Sequence, residues 1–190
     1  MSGRELSSYR KELLAAVSGD VLEIGFGTGL NVPYYGDGVK ALTAIDANEG
    51  MAEIATPRIQ SAGVDITLKT ARAEALPMAA DRFDAVVCTW TLCSIPNIEQ
   101  ALKEVYRVLK PGGKFFFIEH GLSSERGIGK WQRRITPLQR RIADGCHLDR
   151  PMASLVKAVF DQVEWNEFYA TDLPKLIGYF YKGVATKPLL

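Results

Sequence analysis

Hydrophobic positions switch between two periods along the first 120 residues, and the switches predict the elements. Continuous apolar runs at 21–24, 41–45, 66–68, 83–91 and 114–120 read as five strands. Spacings of three and four between them predict helices. Residues 7–17 place Leu13, Leu14 and Val17 on one face, and residues 49–61 form a second helix that Pro57 must kink or bound. In a third, Ile98, Leu102, Val105, Val108 and Leu109 share a face, closed by Pro111-Gly112-Gly113. Strands that are apolar throughout and separated by helices imply βαβ units and a parallel sheet covered on both faces.

After His120 the pattern changes. Residues 121–150 are basic and irregular, interrupted at Gly127, Gly129, Pro137 and Gly145. A helix is predicted over 151–160 with Pro151 at its first position. Residues 163–169 and 176–185 follow as two strands, most easily antiparallel to each other. No repeat, low-complexity tract or linker divides the chain, so its 190 residues read as one domain.

Charge alters this picture only locally. The net charge of +1 gives no global reason to expect nucleic acid as a partner. Residues 126–150, however, carry +5 and the remainder −4. The segment mixes Trp131, Ile135, Leu138 and Ile142 with paired arginines, which fits a solvated helical face or a peripheral contact with anionic lipid. Cys88, Cys93 and Cys146 are too few for a disulfide framework, no signal-peptide core is recognisable, and no apolar stretch reaches membrane-spanning length. A reducing cytoplasm is the expected compartment.

The candidate chemistry begins at "VLEIGFGTG", residues 21–29. Gly25, Gly27 and Gly29 end a strand at G-x-G-x-G spacing, one residue shorter than a dinucleotide phosphate loop, and no Lys-Ser/Thr pair follows. Asp46 ends the next strand, where an acid accepts hydrogen bonds from the two hydroxyls of a ribose. Glu23 would be badly placed beside a pyrophosphate. A ligand with a ribose, a positive charge and no phosphate fits, and S-adenosylmethionine has all three properties.

Four stretches, "VLEIGFGTG", "AIDANEGM", "ARAEALPMAADRFDAVVCTWTLCSI" and "ALKEVYRVLKPGGKFFFIEH", resemble successive motifs of the class I S-adenosylmethionine-dependent methyltransferases, type 11-like, across roughly residues 20–120. The resemblance implies a Rossmann-like, doubly wound, seven-stranded and mostly parallel sheet with an antiparallel C-terminal strand. It also implies a cofactor-binding core over 20–120, a basic acceptor-side insertion or lid over 121–150, and a C-terminal helix and strand pair over 151–190. Glu23 and the stretch Gly25, Phe26, Gly27, Thr28 and Gly29 would hold the methionine part, Asp46 the ribose, and Ala47 the adenine. Ala73 and Glu74 would close over the adenine edge, where Arg72 departs from the commoner acid, and Thr89 and Trp90 would lie near the transferred methyl.

Methyl transfer needs alignment more than acid–base chemistry, and His120 is the candidate general base. Cys146-His147 has no second ligand pair at metal spacing, so no metal site is expected. "DGCHLDRP" and "GYFYKGVATK" look like the branch holding thiol S-methyltransferases and phospholipid and quinone methyltransferases, although the hydrophobic N-terminal anchor of its membrane members is not seen. The expected acceptor is a small, lipophilic thiol, amine or hydroxyl. The alternatives are a nicotinamide-dependent oxidoreductase, opposed by the glycine spacing and Glu23, and a non-catalytic cofactor-binding module. Nucleic acid is not an expected substrate, since "CTWT" stands where amino-methylating DNA enzymes carry their Asn/Asp-Pro-Pro-Tyr tetrad.

Overall fold

A computed structural model describes residues 3–189. In chain order the elements are α1 (Arg4–Leu14), β1 (Gly19–Ile24), β2 (Val39–Asp46), α2 (Met51–Gln60), β3 (Ile66–Thr70), β4 (Phe83–Thr89), α3 (Ile98–Val108), β5 (Leu109–His120), α4 (Arg126–Ile142), α5 (Met152–Lys157), β6 (Gln162–Tyr169) and β7 (Tyr179–Thr186). The seven strands form one sheet in the order β3-β2-β1-β4-β5-β7-β6. Pairings from β3 to β5 are parallel, and β7 runs antiparallel to both β5 and β6. The expected mostly parallel sheet with an antiparallel C-terminal strand is therefore present. Strand order reverses between β1 and β4, and such a switch point opens a crevice at the carboxyl ends of the strands.

Burial follows position in the sheet. β1 and β4 lie at the centre, and Val21, Leu22, Ile24 and Ala85 to Cys88 are buried with helices on both faces. One face packs against α3 and α5, through Leu102, Val105, Met152 and Phe160 among others, and the other against α1 and α2, through Leu14 and Ala55. β6, at the edge, alternates exposed and half-buried positions, as a strand covered on one side does. α3 matches its predicted face, and Asn97 caps it by accepting a hydrogen bond from the Gln100 N–H at 3.1 Å.

Of the two readings offered for Pro57, the boundary is excluded: α2 runs on for three residues to Gln60, so the missing N–H costs a single bond close to the end. Three other expectations need correction. Pro111-Gly112-Gly113 is no helix terminator. Leu109 is already extended, and the turn lies inside β5 as an irregularity, opposite Phe83 and Ala85, where the register jumps from Leu109 to Lys114. Residues 126–142 are one continuous 17-residue helix despite Gly127, Gly129 and Pro137. Tertiary bonds anchor that helix: buried Gln132 accepts from the Ser123 N–H at 2.8 Å and donates to the carbonyls of Gly121 and Leu176. Near the C-terminus, α5 covers only Met152–Lys157, with Pro151 preceding it, and β7 starts at Tyr179. No described helix is long and apolar enough to cross a membrane.

Candidate active site

The crevice at the switch point is an open cleft of about 660 Å³. Every residue assigned to the cofactor in the sequence lines it except Gly29, which lies one residue beyond the lining Thr28. Gly25, Gly27 and Gly29 all adopt left-handed φ angles, of 74°, 53° and 76°. At Gly25 glycine is also needed for space, because a Cβ there would collide with the Thr91 side chain. The N–H groups of Gly25 and Phe26 both donate to the Ile45 carbonyl, at 2.9 and 3.0 Å, which ties the turn to the end of β2. Asp46 reaches back to the same turn. One carboxylate oxygen accepts from the Gly27 N–H at 2.7 Å, and the other from the Asn48 N–H at 2.9 Å.

Glu23 points its carboxylate into a buried polar network. Asn31 donates to it at 2.9 Å and the Tyr35 hydroxyl at 2.7 Å, and burial pushes its pKa up to about 7 against the pull of these donors and of Arg10. Arg10, only 4% exposed, donates to the Asn31 side-chain oxygen at 3.0 Å and stacks over the Trp90 ring at 4.4 Å. A carboxylate and a guanidinium thus face one cleft from β1 and α1. The sequence reading missed Arg10, because on α1 it looks like one more polar residue of an amphipathic helix.

Trp90 is the strained residue of the site. Its φ is 53°, rare for a bulky side chain, and its indole N–H is buried with no partner among the described residues. Thr89 accepts from Asn31 at 3.0 Å. Arg72, Ala73 and Glu74 line another stretch of the cleft, and Arg72, which departs from the commoner acid, pairs with Glu74 at 3.1 Å.

The remaining wall joins two distant loops: Thr91, Ser94, Ile95 and Pro96 after β4, and Asp144 and Gly145 after α4. Buried charges hold it. Glu119 accepts from the N–H groups of Thr91 and Leu92 at 3.0 Å and of Cys93 at 3.3 Å, and burial pushes its carboxyl up to about 6. Arg150 donates to the Leu92 carbonyl and, at 2.7 Å, to that of Ile95. The His147 N–H donates to the Cys93 carbonyl at 2.9 Å and joins the two loops.

His120 is not in the cleft. It is 5% exposed, packs on Phe180 with ring centroids 4.6 Å apart, and places Nδ1 3.9 Å from the Sγ atoms of both Cys93 and Cys146. A base must reach the proton it removes, and this ring faces two thiols instead. The hydrogen bond from Cys93, with help from His120, holds the Cys146 thiol well below its usual range, while Cys93 is pushed up. The ground for expecting no metal site also falls: Cys93, His120 and Cys146 converge from three segments, with their ligand atoms within 4.8 Å of one another. His147, the neighbour in sequence, turns instead toward Asp149 at 3.7 Å.

The cleft suits a zwitterionic nucleoside. It offers a buried carboxylate, a buried cation, a half-buried acid at a strand end, a glycine turn, and an indole N–H without an acceptor among the described residues. Residues 22–117 match the family model described as a methyltransferase domain. A thiol S-methyltransferase of Rattus norvegicus is 39% identical over 176 residues, spanning 86% of this chain and 70% of that one. A human thiol S-methyltransferase is 35% identical over 195 residues, spanning 97% and 78%. Among solved structures, a Thermotoga maritima protein described as a S-adenosylmethionine-dependent methyltransferase, possibly acting on histamine nitrogen, superposes with a TM-score of 0.68 at 25% identity, covering 96% of this chain and 89% of that one.

Proposed function

The chain belongs to the S-adenosylmethionine-dependent methyltransferases of class I, and from that premise we propose that it methylates a small, lipophilic thiol. When bound, S-adenosylmethionine supplies a methyl group on a sulfonium, open to in-line displacement. Glu23 would pair with the ammonium of its methionine part and Arg10 with the carboxylate. Asp46 would exchange its bond to the Gly27 N–H for the ribose hydroxyls. Ala47 and Ala73 would flank the adenine, with Glu74 at its edge. Trp90 and Thr89 would orient the reacting end. Residues 20–120 would act as the cofactor core, 121–150 as the acceptor-side lid and 151–190 as its support, all within one domain.

One observation carries the choice of a thiol: among the described residues, the wall of Thr91, Ser94, Ile95, Pro96, Asp144 and Gly145 offers a single titratable group, the exposed Asp144. A carboxylate is a weak base toward an amine or hydroxyl. A free thiol, with a pKa of about 8.5, already carries a few per cent of the nucleophilic thiolate at neutral pH, so alignment and exclusion of water suffice. A panel of alkyl and aryl thiols, phenols and amines with methyl-labelled cofactor tests this. Thioether formation that rises with the thiolate fraction is expected. Label in phenols or amines but in no thiol would sink the proposal.

The acceptor's lipophilicity finds support in α4. Trp131, Leu138 and Ile142 are 55%, 61% and 73% exposed at spacings that share one helix side, flanked by Lys130, Arg133, Arg134 and Arg141. Such a surface would rest on anionic lipid, a cytoplasmic enzyme thereby meeting membrane-dissolved acceptors. Cosedimentation with anionic but not zwitterionic vesicles, weakened in Trp131→Ala, is the expected result; equal recovery with both would remove the lipid contact.

A further inference from the structure

Cys93, His120 and Cys146 have no task in the methyl transfer proposed above, yet the fold spends several buried groups on bringing them together. Cys93 lies in the loop after β4, fixed through its backbone by Glu119 and neighboured by the carbonyls that Arg150 holds. Cys146 lies in the loop after α4, tied to Cys93 by the His147 N–H. His120 ends β5, its backbone held in the ladder opposite Phe180. All three side chains are nearly inaccessible, at 2%, 5% and 6% exposure for Cys93, His120 and Cys146.

We propose that Cys93 Sγ, Cys146 Sγ and His120 Nδ1 bind one zinc ion in the wall of the cleft. A tetrahedral zinc with Zn–S of about 2.3 Å and Zn–N of about 2.0–2.1 Å sets its ligand atoms about 3.6–3.8 Å apart. Both sulfur–nitrogen distances are 3.9 Å and all three ligand atoms lie within 4.8 Å of one another, so the ligands close on the ion with shifts of no more than about 1 Å. A Cys93–Cys146 disulfide would instead require sulfurs about 2.05 Å apart within this packed region. Soft thiolates and an imidazole select zinc over magnesium or calcium. Two thiolates and a divalent ion are neutral together, which removes the cost of burying thiolates uncompensated. Two cysteines and one histidine leave the fourth position to a small exogenous ligand, and the ion would staple three segments that otherwise meet through hydrogen bonds and apolar packing. The site does not depend on which acceptor the enzyme uses.

Cobalt substitution reads it directly. Tag-free protein, stripped of metal and kept reduced, is titrated with Co(II). Saturation at one equivalent is expected, with the visible bands of four-coordinate cobalt and a near-ultraviolet charge-transfer band of two cobalt–thiolate bonds, displaced by Zn(II). Cys93→Ser and Cys146→Ser each halve the charge-transfer band, Cys88→Ala leaves it intact, and His120→Ala keeps both thiolate bonds while weakening zinc by more than the roughly 10–100-fold that loss of an outer-shell partner costs. The wild-type spectrum requires no variant to fold. Cobalt uptake without thiolate charge transfer, or no uptake at micromolar metal, overturns the proposal.

Discussion

The cleft has two walls built in opposite ways. The wall of Glu23, the glycine turn and Asp46 comes from two neighbouring strand ends, and its two acids line the cleft. The wall of Thr91–Pro96 and Asp144–Gly145 comes from segments some fifty residues apart, and its charges, Glu119 and Arg150, are spent on holding backbone. Charge that faces a ligand pairs with it; charge consumed by loop amides and carbonyls leaves a shaped surface whose one titratable group is the exposed Asp144. The first wall suits a fixed, charged cofactor, and the second an acceptor recognised by shape and apolarity.

The largest test of this contrast is Gly25→Val. The added side chain meets Thr91 and forces a left-handed φ on a β-branched residue, so both walls are disturbed at the point where they touch. A loss of roughly 2–4 kcal/mol of stability is expected, with no cofactor binding detectable by calorimetry. Asp46→Ala touches one wall only. It should weaken S-adenosylmethionine by about 1.5–3 kcal/mol, while thiol KM at saturating cofactor stays put. An unchanged cofactor dissociation constant would mean that the ribose lies elsewhere.

Glu23 gives a pH signature. Its folded pKa, raised to about 7 by burial, lies above the usual carboxylate range, so the folded chain keeps a proton that the unfolded chain has released. The stability contributed in this way is complete below that range and is lost as pH rises through 7. Cofactor affinity should move the other way, rising about tenfold between pH 6 and 8 because the ammonium prefers the ionised form. Calorimetry across that interval, with Glu23→Gln as the flat control, checks the sign. The smallest effect is expected at Asp144→Asn. Thiol turnover should fall less than about tenfold, whereas a required base would cost 10²–10⁴-fold.

The sequence made the first wall readable because its chemistry is local. A strand, a glycine turn and an acid at the next strand end lie within 26 consecutive residues, and strand periodicity shows where each ends. Nothing local marked the second wall. His120 read as a base because it ends a strand beside the cleft, but the last side chain of β5 turns inward to Phe180 and the thiols. Cys93 and Cys146 are 53 positions apart, and only the closed chain shows that they share a histidine. The continuity of α4 was equally hidden, since Gly127, Gly129 and Pro137 argue against a helix locally and Gln132 overrules them through bonds to other segments.

The placement of β7 has a consequence for how the molecule is made. It is the last strand in sequence among the described residues, yet it lies between β5 and β6 and bonds to both. A ribosome delivers the chain N-terminus first, so β5 waits with an unpaired edge, and β6 has no neighbour in the sheet, until the final strand emerges. An open, apolar edge invites pairing with another nascent chain. The interval between synthesis of His120 and of Tyr179 is therefore the one in which β5 presents an unpaired edge to other chains.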